Sequence, residues 1–231
     1  MTEDEPSTAP SCNCPDDTDP RIARYFDRRN ERRRSGKEHY EMGNVTRHLL
    51  DTLLELDPHH HTVFEGGCGP GALLVELLAA GATAGVGVDL SSEAVGYARV
   101  RAEEAGVAER AEFVVADAAT MAAVAQDWVV LDKVICCYPD ADRLLDNTIA
   151  AARSLYAFAL PVSYGWRGAM ARVLIGVEQL FLRVIRRPCP AYVHDIGRIE
   201  GKLLAAGFAS IRRESLGMWH VGVFARAAGS A

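Results

Sequence analysis

Thr62 to Gly71 read TVFEGGCGPG. A short apolar run ends in an acid, Glu65, and Gly66, Gly67, Gly69 and Gly71 follow it. The next residues, ALLVELLAAGA at 72–82, have helical apolar spacing. Strand, glycine turn and helix in that order make a small-molecule site. Glycine lets the backbone approach a ligand with no Cβ in the way. The start of a helix offers unpaired N–H groups to an anionic group. A second apolar run, AGVGVD at 84–89, ends in Asp89. An acid at the tip of the next parallel strand suits the two hydroxyls of a ribose.

Apolar runs alternate with amphipathic ones on either side of this unit. Strands are expected at 62–66, 83–89, 111–117, 127–137 (DWVVLDKVICC) and 155–161. Helices are expected between them, including TMAAVAQ at 120–126 and ADRLLDNTIAAARSL at 141–155. Ser91 is placed to cap the helix that follows Asp89. Alternating β and α units imply a parallel sheet with helices on both faces. After Pro161 the pattern changes to a long amphipathic stretch at 165–187, a helix at 195–207, and two strands joined at SLGM as a hairpin. The domain reading is a disordered, acidic, Pro-rich tail at 1–20, a helical cap at 21–57, and a main domain at 58–231 with a helical lid inserted at 162–190. A solvated basic helix within 21–40 is expected to close over the ligand.

The run Gly67 to Ala72 also fits a relaxed dinucleotide fingerprint. Three features point elsewhere. Glu65 would repel a pyrophosphate and attract an ammonium group. Asp117 at the end of FVVAD can accept from an adenine amine, with Ala118 offering backbone N–H. Little chain remains for the separate catalytic domain of an NAD-dependent reductase, the competing reading. A ligand with an ammonium, a carboxylate, a ribose and an adenine fits all these positions, and S-adenosylmethionine is such a molecule.

The motifs E-x-G-x-G-x-G at 65–71, D-L-S at 89–91 and A-D-A at 116–118, with the late antiparallel strand, resemble the class I S-adenosylmethionine-dependent methyltransferases. The resemblance spans Val45 to Arg226. It implies an α/β, Rossmann-like, mostly parallel seven-stranded sheet with a C-terminal antiparallel strand. It further implies Glu65 at the methionine ammonium, Gly67, Cys68 and Gly69 along the methionine portion, Asp89 on the ribose, Leu90 against the adenine, and Asp117 with Ala118 at the adenine amine. A narrower resemblance, to magnesium-protoporphyrin IX methyltransferases, rests on Arg24-Tyr25-Phe26-Asp27 and on the spacing of Val134 to Tyr138, where Cys136 and Cys137 replace that family's usual residues.

Methyl transfer from a sulfonium needs an aligned, desolvated nucleophile, and a hydroxyl or amine acceptor also needs a base. Tyr138 after the fourth strand and His194 before the penultimate helix are the candidates; Tyr164 after the fifth strand is another. Tyr138 also reads as a pocket wall and His194 as a packing residue. His220 reads as a strand residue that packs or faces solvent. His59-His60-His61 reads as a solvated loop, since consecutive histidines do not converge easily on one ion; no metal is expected.

The bulk numbers set the remaining expectations. Net charge is −6, which disfavours nucleic acid as the main partner and stands against an RNA methyltransferase. The N-terminus lacks an apolar core of signal type, and the six cysteines read as reduced thiols, so a cytoplasmic setting is expected. No run is long and apolar enough for a membrane span, although peripheral contact stays open for 165–187. The expected partner is a small, partly apolar acceptor; a homodimer and a non-catalytic adenosyl-binding module stay open.

Overall fold

A computed structural model describes residues 20–35, 40–122, 124–184 and 192–226. Of the disordered tail expected at 1–20, residues 1–19 lie outside the described residues, as does Cys189, and Pro20 opens a helix.

Seven strands form one sheet in the order β3-β2-β1-β4-β5-β7-β6. They are β1 (Thr62–Gly66), β2 (Ala84–Asp89), β3 (Ala111–Val115), β4 (Gln126–Asp132), β5 (Ala152–Pro161), β6 (Phe208–Leu216) and β7 (Trp219–Arg226). The first five run parallel. Only β7 is reversed, inserted between β5 and β6. Gly217, at φ +59, turns the hairpin as the SLGM spacing requires.

Helices cover both faces. On one, α2 (Asn44–Glu55), α3 (Ala72–Ala79) and α4 (Ser92–Glu104) bury Leu49, Leu53, Leu74, Leu77 and Val95 against Val63, Trp128 and Val130. On the other, α5 (Asp142–Ala151) and α7 (Ile196–Ala205) bury Leu144, Ile199 and Leu203 against Phe64, Val129 and Phe158. Helix α1 (Pro20–Arg34) packs on α4, and α6 (Gly165–Val184) follows β5.

Three local expectations change. The described residues of TMAAVAQ form no helix: the amides of Thr120 and Met121 turn back onto the Asp117 carbonyl, and the Asn147 side chain takes the carbonyls of Ala118 and Met121. The fourth strand stops at Asp132. Lys133 adopts φ +58, and a 3₁₀ turn at Ile135–Cys137 carries the two cysteines off the sheet. Helix α5 ends at Ala151, because Ala152 already pairs with Gln126 of β4. In the last of these, sheet pairing overrides the helical preference of an Ala-rich run.

Candidate active site at the C-terminal edge of the sheet

The parallel strands β1 to β4 point the same way, so their C-terminal ends form one edge. In open α/β sheets this edge is where ligands bind. It gathers Glu65, the glycine turn, Asp89, Asp117 and Asp132.

The glycine turn is built for close approach at two positions. A Cβ on Gly67, at φ +68, would lie 2.5 Å from Cγ2 of Val134. A Cβ on Gly69, at φ +52, would meet nothing within 4 Å, so the turn leaves open space above that residue. Cys68 contributes backbone here: its N–H donates to the Val88 carbonyl, while its thiol is buried. Burial, with Asp89 and Glu65 nearby, pushes that thiol well above its ordinary range.

Asp89 ties β2 to this turn. Its Oδ2 accepts from Gly69 N–H at 2.8 Å and its Oδ1 from Ser91 N–H at 2.8 Å. Burial raises its pKa despite these donors. Leu90 follows, partly exposed, and Ser91 caps α4 through the Ala94 amide. Asp27 of α1 accepts from Ser91 Oγ at 2.8 Å and from the Glu93 amide at 3.3 Å. The N-terminal helix is thus tied to the start of α4, two residues from Asp89.

Glu65 is buried, with Oε2 accepting from the Leu74 amide at 3.1 Å. Burial, then the nearby charges of Asp132 and Asp89, pushes its carboxyl well above the carboxylate range. Asp132 was not singled out from sequence. The strand expected at 127–137 runs past Asp132 and so hides it as a tip; an acid ending an apolar run, as at Asp89, is the available signal. In the β1–β4 register Glu65 sits beside Val130, so Asp132, two residues on, shares its face of the sheet. Asp132 Oδ2 accepts from Thr46 Oγ1 of α2 at 2.6 Å, with Lys133 Nζ at 3.4 Å. Its Oδ1 is buried without a hydrogen-bond partner. Burial raises its pKa as well.

Beyond β3, Asp117 Oδ1 accepts from the Ala119 amide at 2.8 Å and from the Tyr138 hydroxyl at 2.6 Å. Ala118 is buried next to it. The Tyr138 hydroxyl is therefore committed to Asp117. Burial and the negative Asp117 hold the phenol far above its usual pKa, which sets it as a donor and against service as a base. His194 Nε2 lies 3.0 Å from the Tyr138 carbonyl. Only an N–H pairs with a carbonyl oxygen, so Nε2 carries the proton and Nδ1 of the neutral ring is left as an acceptor.

Other candidates fall elsewhere. Tyr164 Oη contacts Ser215 Oγ at 2.8 Å and His220 Nδ1 at 3.3 Å. His220 is buried, not turned to solvent, and its Nε2 lies 3.2 Å from Glu200. His59 to His61 precede β1, at the opposite end of that strand from the glycine turn. His61 stacks on Trp128, and among the described residues no group of three metal-ligating side chains forms.

Residues 63–154, spanning this edge from β1 to the start of β5, match a family model described as "Methyltransferase domain". Residues 63–154 thus resemble a methyltransferase domain. Ribosomal protein L11 methyltransferase of Pasteurella multocida (strain Pm70) is 41% identical over 61 residues, 26% of this chain and 21% of that protein. The chain thus spans about a fifth of the curated relatives it matches. Among solved structures, magnesium protoporphyrin IX methyltransferase from Synechocystis PCC 6803 with bound SAH superposes at TM-score 0.69 with 22% identity, over 90% of this chain and 100% of that one. An O-methyltransferase family protein from Burkholderia thailandensis gives TM-score 0.60 with 16% identity, over 91% and 72%. At these identities the likeness is one of fold.

Proposed function

We propose that the protein is an S-adenosylmethionine-dependent methyltransferase acting on an oxygen of a small, partly apolar acceptor. One observation carries the cofactor reading: two buried acids, Glu65 and Asp132, share a face of the sheet beside an open glycine turn, and one of their oxygens has no partner. A buried, unsatisfied carboxylate oxygen is costly alone and is relieved by a cationic ligand. The methionine ammonium is such a group. The residues fit the rest of the molecule in the same order along the edge. Gly67, Cys68 and Gly69 would bring backbone against the methionine portion. Asp89 would accept from the ribose hydroxyls, with Leu90 against the adenine and Asp117 and Ala118 at its amine.

The bound cofactor would supply an electrophilic methyl on a positively charged sulfur. The chain's own contribution is alignment and exclusion of water. Tyr138 fixes Asp117 by donating to Oδ1, and His194 is held by the Tyr138 carbonyl with Nδ1 able to accept a proton from a hydroxyl acceptor. A carboxylate acceptor would not need it. The domain division follows the same reading: the helical segment before β1 supplies Thr46 and Asp27, and the segment after β5 supplies His194.

The test is calorimetric titration with S-adenosylhomocysteine, the demethylated product. Binding by the intact protein, and at least ~10-fold weaker binding by Asp132→Asn, are expected from loss of a charge-assisted contact. Absence of heat and of any thermal shift in the wild-type protein refutes the proposal.

A further inference from the structure

Helix α6 turns its apolar stripe away from the body of the protein. Its root is fixed: Arg172 Nη2 donates to the Ser163 carbonyl at 2.7 Å, and a Cβ on Gly168 would lie 2.3 Å from the Ser163 carbonyl carbon. Gly168 therefore marks the inward side. On the other side Trp166, Met170, Val173, Leu174 and Val177 recur at helical spacing and are 70, 39, 64, 56 and 63% exposed. The equivalent stripe of α2, Leu49, Leu50 and Leu53, is at most 3% exposed. A contiguous exposed apolar stripe marks a surface that something covers.

The charge around it says what. Residues 165–187 carry five arginines, at 167, 172, 183, 186 and 187, against one acid, Glu178, in a chain of net charge −6. On the helical wheel Arg167 borders one side of the stripe, with Glu178 beyond it, while Arg172 turns inward to Ser163. The Arg167 guanidinium sits 5.6 Å from the Trp166 ring centroid. A second copy would set cations against cations, and a nucleic acid would meet an apolar centre. Tryptophan and aliphatic residues along one side, flanked by arginine, suit the boundary between acyl chains and anionic headgroups.

We infer that α6 docks the protein on an anionic lipid surface, lying in the plane of the interface. The helix is not long and apolar enough to cross a membrane. Its root follows β5 at the edge that holds the glycine turn, so docking turns that edge toward the lipid. An apolar acceptor dissolved there could then reach the site; this last step rests on the proposed methyl transfer, and the docking does not.

Vesicle sedimentation tests it, with phosphatidylcholine alone and with phosphatidylglycerol mixed in. The wild-type protein is expected to sediment with the mixed vesicles and to be released by salt. Arg167→Gln should weaken this about five-fold. Val173→Asp with Val177→Asp should abolish it at an unchanged melting temperature, since both positions face solvent. Trp166 emission should shift to the blue on binding, and the shift should vanish in Trp166→Phe. Wild-type protein left in the supernatant, full binding by the double variant, or a double variant that only turns a dimer into a monomer overturns the inference, as does a preference for RNA over the mixed vesicles.

Discussion

The carboxylate of Asp89 and the amide of Gly69 are joined by a 2.8 Å hydrogen bond, so the tip of β2 holds the glycine turn that leaves β1. The residue proposed to receive the ribose also shapes the loop proposed to receive the methionine portion. Asp89→Ala should remove S-adenosylhomocysteine binding and also destabilise the fold by about 1–3 kcal/mol, because the Gly69 and Ser91 amides lose their acceptor. Asp89→Asn keeps one acceptor oxygen and should melt closer to wild type while binding remains weak. Calorimetry and thermal melting on both variants check this; wild-type affinity in either one removes the ribose assignment.

Glu65 and Asp132 predict the pH dependence of the ligand-free protein. Both have folded-state pKa values above the unfolded ones, Glu65 by the larger shift. The folded state therefore binds these protons more tightly. Their contribution to stability is present below the unfolded carboxylate range and is lost as pH rises through the raised folded values. Glu65→Gln keeps an acceptor for the Leu74 amide and should flatten this decline, melting at or above wild type at neutral pH. A bound ammonium needs the ionised acids, so S-adenosylhomocysteine should bind with proton release. Titration in buffers of different ionisation enthalpy measures it, and a heat independent of buffer contradicts it.

Tyr138 and His194 should separate in kinetics. Tyr138→Phe removes the donor to Asp117 and should weaken cofactor binding by about 1 kcal/mol, leaving the shape of the pH–rate profile unchanged. His194→Gln should leave cofactor affinity intact and, with a hydroxyl acceptor, lower kcat by roughly 10²–10⁴. An unaltered kcat in His194→Gln with such an acceptor excludes the base role.

Ser91 joins two helices, capping α4 while donating to Asp27 of α1. Ser91→Ala should cost about 1–2 kcal/mol through loss of the cap at a buried position. Asp27→Ala should leave the cap intact and make α1 more sensitive to limited proteolysis, without a large change in melting temperature. Equal proteolysis rates in the two proteins would show that the Asp27 contacts do not hold α1 in place.

What the residues dictated alone is what depends on local pattern. The apolar runs ending in Glu65 and Asp89, the glycines between them and the Ser91 cap specify strand, turn and helix through neighbours along the chain. Alternation of such units then implies a parallel sheet. Tertiary structure decided what depends on partners distant in sequence. Asp132 became a strand tip because Lys133 left the β conformation beside β5, whose Ala159 carbonyl accepts its amide. Tyr138 became a donor, and not a base, because the fold set it against Asp117, 21 positions away. Periodicity alone gave the stripe on α6 no direction; a helix has an apolar side by its own sequence, but only the rest of the fold determines whether that side turns inward or toward solvent.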